Sequence, residues 1–228
     1  MQKKVAIFDI DGTIFRSSLF IKLIEDFIDL KIFPEKARKD YLSSYCAWLD
    51  RQGPYEDYLD KMIEIFNKYL KGVKRKDFQK VSQKIASTHK NRVYRFTRDL
   101  IKEFKKKGYY LLAISRSPKI ILDYFCQEWE FDKVYGFIYE FDKNDKATGK
   151  ALYQDLIMDK DKIVKRAVQK ENLTLADSVG VGDSASDISF LKIVDYPICF
   201  NPNKELYKQA KKNGWKIVVE RKDVIYEI

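Results

Sequence analysis

A short apolar strand that ends at two carboxylates constrains this chain more than any other sequence feature. Residues 5–8 read Val-Ala-Ile-Phe, without helical periodicity, and Asp9, Ile10, Asp11 and Gly12 follow at once. Such a run is typical of a strand that is covered on both faces of a parallel sheet. Open α/β sheets bind their ligands in the crevice outside the carboxyl ends of the strands. We therefore expect the two carboxylates at a functional edge of a sheet.

Two further strand patterns also end in polar residues. Residues 109–114 are apolar and lead into Ser115 and Arg116, and residues 178–182 lead into Asp183. Helical patterns separate these strands, and alternation of strand and helix predicts an α/β fold. The expected architecture is a Rossmann-like parallel sheet core with helices on both faces.

The interval between the first two strands is much longer than their connection requires. A crossover between parallel strands needs only one helix, yet apolar residues recur with helical spacing in several places along this interval. Four such patterns occur, at about residues 20–28, 34–52, 55–70 and 77–88. We therefore predict an inserted α-helical cap domain at residues 16–90, with the core domain formed by residues 1–15 and 91–228.

Positive charge is concentrated in residues 71–107. The 228-residue chain has a net charge of +10, and this segment holds 14 Lys and Arg against 3 acids, a net +11 that leaves −1 for the rest. A local field of this kind attracts phosphates, so nucleic acid bound through residues 71–107 is one hypothesis. The other is a solvated helix face in a lysine-rich chain. The segment carries no aromatic stacking pattern, which favours the second hypothesis.

Several other classes of protein are disfavoured by the composition. The three cysteines are odd in number and lie among apolar neighbours, which fits reduced core thiols better than disulfides or zinc ligands. The single histidine excludes any mechanism that needs two histidines. Charged residues interrupt the long apolar runs, so no membrane-spanning helix is expected. The first apolar stretch meets Asp9 too early for a signal peptide, and we expect a cytoplasmic protein. The sequence indicates no oligomeric state.

Four short motifs resemble those of the haloacid dehalogenase superfamily. They are Asp9-Ile-Asp-Gly-Thr13, Ser115, Lys160, and Gly182-Asp183 with Asp187, in this order along nearly the whole chain. One short acidic turn is weak evidence, but four motifs, three of them at strand ends, are much stronger. The helical insert between the first two motifs is similar to the cap of the phosphoserine-phosphatase-like branch, subfamily IB.

The resemblance implies a Mg²⁺-dependent phosphatase that forms an aspartyl-phosphate and acts on a small phosphorylated metabolite. Asp9 would attack phosphorus, and Asp11 would be the general acid and base. Asp9, Asp183 and the backbone carbonyl of Asp11 would hold Mg²⁺, which prefers oxygen ligands. Asp187 would orient these ligands. This complete set of acids disfavours a catalytically silent interaction module.

The phosphate group is expected to contact Ser115, the backbone amide of Arg116 and one lysine. Lys160 and Lys162 both open the helix that leads to Asp183. The phosphoserine-phosphatase-like branch places this lysine 23 residues before the metal aspartate, the spacing of Lys160 in this chain. The resemblance therefore selects Lys160 and leaves Lys162 as the alternative.

Substrate specificity is expected in the cap, because a phosphate site contacts only the group that all substrates share. Phosphoserine phosphatases use an acidic residue early in the cap to hold the substrate amine, whereas residues 15–23 contain no acid. L-phosphoserine is therefore expected to be a poor substrate. The candidate contacts to the leaving group are Arg16 and Ser18, with Ser17 and Phe20 beside them.

Overall fold

The computed structural model describes residues 2–228, which form a mixed sheet of eight strands flanked by helices. The strands are β1 (Lys3–Phe8), β2 (Tyr110–Pro118), β3 (Lys133–Phe141), β4 (Ala147–Leu152), β5 (Leu173–Gly182), β6 (Tyr196–Phe200), β7 (Lys216–Arg221) and β8 (Val224–Glu227). Their order in the sheet is β4-β3-β2-β1-β5-β6-β7-β8. The six inner strands pair in parallel, and β4 and β8 add antiparallel edges.

The helices occupy the expected intervals, with a few additions. They are α1 (Leu19–Asp29), α2 (Lys36–Leu49), α3 (Tyr55–Tyr69), α4 (Arg75–His89), α5 (Arg95–Lys106), α6 (Lys119–Cys126), α7 (Gln154–Met158), α8 (Lys160–Lys170), α9 (Ile188–Leu191) and α10 (Lys204–Asn213). The sequence patterns did not indicate β4, β8 or the short helices α7 and α9. Between residues 2 and 228, no helix has the length and apolar character needed to cross a membrane.

Strand β1 lies in the middle of the sheet and is buried from both sides. Val5 and Ile7 belong to the hydrophobic cluster on one face, whereas Ala6 and Phe8 belong to the cluster on the other. Successive side chains of a strand point to opposite faces, so a continuous apolar run is what such a position requires. The predicted α/β class, with a parallel sheet and helices on both faces, is confirmed.

The helical insert leaves and rejoins the sheet through two neighbouring chain segments. The backbone N–H of Arg16 donates to the carbonyl of Arg92 at 2.9 Å, and the N–H of Tyr94 donates to the carbonyl of Ile14 at 3.0 Å. The outgoing and returning chains are therefore held side by side close to the end of β1. The division into a core at residues 1–15 and 91–228 and a cap at 16–90 stays a prediction.

A second attachment joins the insert to the hairpin of β3 and β4. The N–H of Gly72 donates to the carbonyl of Ala147, and the N–H of Ala147 donates to the carbonyl of Val73, both at 2.8 Å. The N–H of Arg75 donates to the carbonyl of Asp145, also at 2.8 Å. The connection between α3 and α4 thus continues the hydrogen bonding of the sheet edge.

Aromatic packing extends the same attachment into the core. The buried ring of Phe66 lies 5.3 Å from the ring of Tyr139, and the buried ring of Phe78 lies 6.4 Å from that of Phe141. Aromatic pairs at such distances stabilise a packed core beyond the area that they bury. The insert and one face of the sheet therefore share a continuous hydrophobic cluster.

Candidate active site

A buried lysine joins two loops at the carboxyl edge of the sheet. Lys160 begins α8, is 1% exposed, and donates from Nζ to Oδ1 of Asp9 and to Oδ1 of Asp187, both at 2.6 Å. Burial alone would lower the pKa of Lys160, but the carboxylates of Asp187 and Asp9 raise it above its ordinary value. The ammonium is therefore held in its charged form between two acids.

Asp9, directly after β1, keeps one carboxylate oxygen unpaired. Its Oδ1 accepts from Lys160, whereas its Oδ2 is buried and has no hydrogen-bond partner among residues 2–228. Burial raises the pKa of Asp9 to about 7, with Lys160 opposing this rise and the carboxylates of Asp187 and Asp11 adding to it. A buried oxygen without a partner is costly, and such an atom is a candidate ligand or nucleophile.

Asp187 is fully buried and its carboxylate is saturated by contacts within the protein. Its Oδ1 accepts from Lys160, and its Oδ2 accepts from the backbone N–H groups of Asp183 at 3.0 Å and Ser184 at 2.9 Å. A Cβ at Gly182 would lie 2.5 Å from the Cβ of Asp187, so only glycine lets the loop pass this closely. The orienting role expected of Asp187 toward metal ligands stays a prediction.

Three acids form a cluster at this edge of the sheet. Carboxylate oxygens of Asp9, Asp183 and Asp187 lie within 4.8 Å of one another. Burial, followed by the charges of Asp9 and Asp187, raises the pKa of Asp183 well above its ordinary value. Mutual repulsion and the oxygen donors of this cluster fit a hard divalent cation such as Mg²⁺.

The turn after β1 brings Asp183 close to the backbone of residue 12. Gly12 has a φ of +86°, and a Cβ there would lie 2.1 Å from Oδ2 of Asp183. Any other residue would therefore be strained in its backbone and would collide with the acid. The hydroxyl of Thr13 lies 3.4 Å from Oδ1 of the same carboxylate.

Asp11 points away from the acidic cluster and toward β2. Its Oδ2 accepts from the hydroxyls of Ser115 and Ser117, both at 2.7 Å, and its Oδ1 accepts from the backbone N–H of Leu19 at 2.5 Å. Burial raises the pKa of Asp11, and these hydrogen bonds oppose the rise. The acidic cluster therefore contains the carboxylate of Asp187 and not that of Asp11. Contact of the Asp11 backbone carbonyl with a metal stays a prediction.

Ser117 is a site residue that the sequence reasoning missed. It is buried, and its backbone N–H donates to Oγ of Ser115 at 2.9 Å. The signal was present, because residues two apart on a strand point to the same face, and Ser115 and Ser117 both belong to β2.

The side chains of Arg116 and of Lys162, the alternative lysine, lie outside the cluster. The guanidinium of Arg116 donates to the backbone carbonyl of Met158 at 3.0 Å. The phosphate contact expected of Arg116 is that of its backbone amide, and it stays a prediction. The side chain of Lys162 is 60% exposed and pairs with Asp159 at 3.2 Å. Of the two candidate lysines, Lys160 is therefore the one that reaches Asp9.

The predicted cap contacts, Arg16 and Ser18, have local partners of their own. Oγ of Ser18 accepts from the backbone N–H of Ile21 at 3.3 Å and caps the start of α1. The exposed guanidinium of Arg16 lies 5.6 Å from the ring centroid of Tyr94, a cation–π distance. Their contact with a leaving group stays a prediction.

The insert also brings Tyr55 and Glu56 to the site, which the sequence did not indicate. Oε1 of Glu56 accepts from Nδ2 of Asn203 at 3.1 Å, and the backbone N–H of Asn203 donates to the carbonyl of Asp183 at 2.8 Å. Burial, followed by the charges of Asp11 and Asp183, raises the pKa of Tyr55. The break at Gly53 and Pro54 was the only sequence sign that a side chain would be presented here.

The basic segment at residues 71–107 is partly neutralised by surface ion pairs. Five of its side chains pair with acids: Arg75 with Asp145, Lys84 with Asp26, Arg98 with Asp99, Lys105 with Glu130, and Lys107 with Glu103. Exposed pairs of this kind contribute little to stability. Binding of nucleic acid through the segment stays a prediction.

The chain matches a family model and a curated relative. The family model is described as haloacid dehalogenase-like hydrolase and matches residues 6–192. A histidinol-phosphatase from Neisseria meningitidis serogroup C (strain 8013) is 23% identical over 229 residues, which cover 95% of this chain and 98% of that protein.

Several solved structures share the fold. A protein of unknown function from Bordetella pertussis Tohama I aligns with a TM-score of 0.72 at 15% identity, over 95% of this chain and 98% of that one. A phosphoserine phosphatase carrying a phospho-aspartyl intermediate analogue aligns with a TM-score of 0.63 at 22% identity, over 98% and 96%. A substrate-bound phosphoserine phosphatase aligns with a TM-score of 0.61 at 21% identity, over 92% and 91%.

We expect Lys160→Met to destabilise the metal-free protein and Lys162→Met to leave it nearly unchanged. Loss of the buried ammonium leaves the carboxylates of Asp9 and Asp187 without their cation, which costs about 3–5 kcal/mol of unfolding free energy near pH 8. The exposed Lys162 supplies the matched control, with an effect within about 0.5 kcal/mol. Urea unfolding in chelator measures both variants, and equal small losses would contradict the proposed position of Lys160.

We expect Asp183→Asn to stabilise the metal-free protein near pH 8 by about 1–2 kcal/mol. The folded pKa of Asp183 is raised above its ordinary value of 3.8. Its contribution to stability is therefore complete below pH 3.8 and is lost as the pH rises through the folded pKa. The advantage of the amide should shrink near pH 5, where the parent carboxyl is more fully protonated.

The same variant tests whether Asp183 is a ligand of Mg²⁺. Saturating Mg²⁺ should stabilise the parent by about 2.7 kcal/mol at one hundred times its dissociation constant and should stabilise Asp183→Asn much less. Thermal or urea unfolding with and without Mg²⁺ measures the difference. Equal stabilisation of both proteins would show that Asp183 is not a metal ligand.

Proposed function

This chain belongs to the haloacid dehalogenase-like hydrolase family, and from that premise we propose that it hydrolyses a small phosphomonoester with Mg²⁺ through a phosphorylated Asp9. The expected enzyme class, a phosphatase, agrees with the family and with the names of the relatives. One observation supports the route best: Oδ2 of Asp9 is buried and has no partner in the described part of the chain, while Lys160 donates to Oδ1. The carboxylate therefore presents one oriented oxygen for attack on phosphorus.

In the first step, Oδ2 of Asp9 forms a bond to phosphorus and the bond from phosphorus to the ester oxygen breaks. The leaving oxygen takes its proton from Asp11, whose raised pKa favours the protonated form that this step needs. The Lys160 ammonium offsets the negative charge that develops beside Asp9. The alcohol then departs with the proton that Asp11 supplied.

In the second step, a water molecule attacks the phosphorus of the phosphorylated Asp9. Asp11 accepts a proton from this water, inorganic phosphate is released, and the carboxylate of Asp9 is restored. Ser117 positions the Asp11 carboxyl for both proton transfers, since its hydroxyl donates to Oδ2 at 2.7 Å. The Ser115 hydroxyl, which donates to the same oxygen, would turn to the phosphoryl group when a substrate binds. Ser115 and the backbone amide of Arg116 are the proposed contacts to the phosphoryl oxygens.

Asp9, Asp183 and the backbone carbonyl of Asp11 are the proposed metal ligands. When bound, Mg²⁺ neutralises the clustered carboxylates and draws negative charge from the phosphoryl oxygens. Asp187 accepts hydrogen bonds from the backbone N–H of Asp183 and from Nζ of Lys160, and so helps to hold the loop after β5 against the loop after β1. Removal of Asp187 should therefore disturb the whole site.

The leaving group of the proposed substrate differs from that of L-phosphoserine. Glu25, the first acid of the insert, pairs with Lys22 at 2.5 Å and is not free to hold a substrate amine. Phosphoserine and histidinol phosphate, which the relatives' names suggest, nonetheless belong in any panel of substrates. We propose a small phosphorylated metabolite other than L-phosphoserine.

We expect Asp9→Asn to lower Mg²⁺-dependent phosphate release by at least about a thousandfold, because an amide cannot attack phosphorus. Asp123→Asn on the exposed side of α6 is the matched control and should keep the parent rate. Phosphate release is measured over a panel of metabolite esters and one aryl phosphate, with Mg²⁺ and with chelator. Comparable turnover of folded Asp9→Asn and parent would contradict the assignment, as would full activity in chelator.

A further inference from the structure

We propose that Asn203 is a positioning residue that couples the insert to Asp183, so that Mg²⁺ binding and the attachment of α3 to the core favour each other. Asn203 lies between β6 and α10, outside the four motifs of the site. The coupling rests on the proposed function, because it requires Asp183 to be a ligand of Mg²⁺. It assigns a role to a residue that contacts neither the phosphate group nor the metal.

Hydrogen bonds hold the backbone of Asp183 on both sides of the residue. Its N–H donates to Oδ2 of Asp187 at 3.0 Å, and its carbonyl accepts from the backbone N–H of Asn203 at 2.8 Å. Asp187 belongs to the same loop as Asp183, whereas Asn203 reaches it from the loop that follows β6. The position of the Asp183 carboxylate therefore depends on where Asn203 lies.

The side-chain amide of Asn203 has a fixed orientation. Its Oδ1 accepts from the backbone N–H of Leu206 at 3.0 Å and caps the start of α10, so its Nδ2 faces the insert and donates to Oε1 of Glu56 at 3.1 Å. Asp caps a helix as well as Asn does, and the cap alone therefore does not require an amide at this position. The amide nitrogen serves the contact with Glu56.

The two ends of α3 are attached to the core with very different strength. Near its carboxyl end, Phe66 packs against Tyr139, and the chain beyond the helix pairs with the backbone of Ala147. Near its amino end, the exposed Glu56 contacts Asn203; within residues 2–228, no other hydrogen bond or ion pair joins residues 34–65 to the chain outside the insert. A segment held by one exposed contact opens locally at little cost.

Repulsion among the acids links this contact to the metal. The carboxylates of Asp9, Asp183 and Asp187 lie within 4.8 Å of one another, and a cation at Asp183 offsets their repulsion. It thereby favours the arrangement in which the carbonyl of Asp183 accepts from Asn203, whose amide then holds Glu56. Coupling of two equilibria is reciprocal, so the contact with Glu56 favours Mg²⁺ binding by the same factor. One hydrogen bond to a carboxylate corresponds to a factor of roughly 3 to 10.

The test exchanges donor and acceptor across the contact. Asn203→Asp keeps the cap of α10 but replaces the donor with a carboxylate that repels Glu56. Glu56→Gln in the same chain supplies a new donor, restores the hydrogen bond in the opposite direction and returns the net charge to that of the parent. Asn213→Asp, at the exposed end of α10, removes another amide donor with the same change of charge and is the matched control.

Hydrogen exchange of the backbone amides of residues 58–60, near the start of α3, is measured with and without Mg²⁺. In the parent and in Asn213→Asp, saturating Mg²⁺ should slow this exchange roughly 3- to 10-fold. In Asn203→Asp the exchange should be faster and nearly insensitive to Mg²⁺, and the double variant should recover the parent values. Glu56→Ala should act as Asn203→Asp does, and it leaves Asp183 and the cap of α10 untouched.

Exchange measures the coupling without any turnover, so it can fail separately from the proposed function. Exchange at residues 58–60 that does not respond to Mg²⁺ in the parent would overturn the coupling, even if the protein hydrolyses esters. A response to Mg²⁺ that survives both Asn203→Asp and Glu56→Ala, or that does not return in the double variant, would also overturn it. Slower exchange with Mg²⁺ that depends on Asn203, without hydrolysis of any ester, would support the coupling and overturn the phosphatase.

Discussion

The ammonium of Lys160 is the interaction on which the site depends. It lies between Asp9 and Asp187, so it joins the loop after β1 to the loop after β5 through two hydrogen bonds of 2.6 Å. Several carboxylates at one sheet edge repel one another, and a buried cation that contacts two of them offsets part of this repulsion. The lysine also leaves Oδ2 of Asp9 without a partner within residues 2–228. One contact therefore joins the loops and leaves available the oxygen that we propose as the nucleophile.

The centre of the fold could be predicted because its physical requirements are local. The run at residues 5–8 is apolar at every position, and a strand buries all of these side chains only when both faces of the sheet are covered. The three polar strand ends lie at one sheet edge because the strands are parallel. Lys160 was selected over Lys162 by a spacing taken from relatives, and in the structure Lys160 is buried between two acids whereas the side chain of Lys162 is 60% exposed.

The rest depends on contacts between distant parts of the chain. Asn203 meets Glu56 across 147 positions, and neither residue belongs to a recognisable pattern. The pairing of Gly72 and Val73 with Ala147 likewise could not be predicted, because backbone hydrogen bonds of this kind do not require particular residue types. Cap specificity is hard to infer from sequence for the same reason. Helical periodicity shows which face of α3 is buried, but it does not show that α3 begins beside the loop that follows β5.

The most direct test of the central claim is to find the phosphorylated residue. Asp11→Asn is mixed with an aryl phosphate and Mg²⁺, quenched in acid, reduced with borohydride and analysed by peptide mass spectrometry. An aryl leaving group departs without a general acid, but the phosphorylated protein now lacks its base, so it should accumulate. The account predicts a borohydride-reduced residue at position 9 and none in Asp9→Asn with the same second change. Modification of Asp183 instead, or hydrolysis with no covalent species at any time, would contradict it.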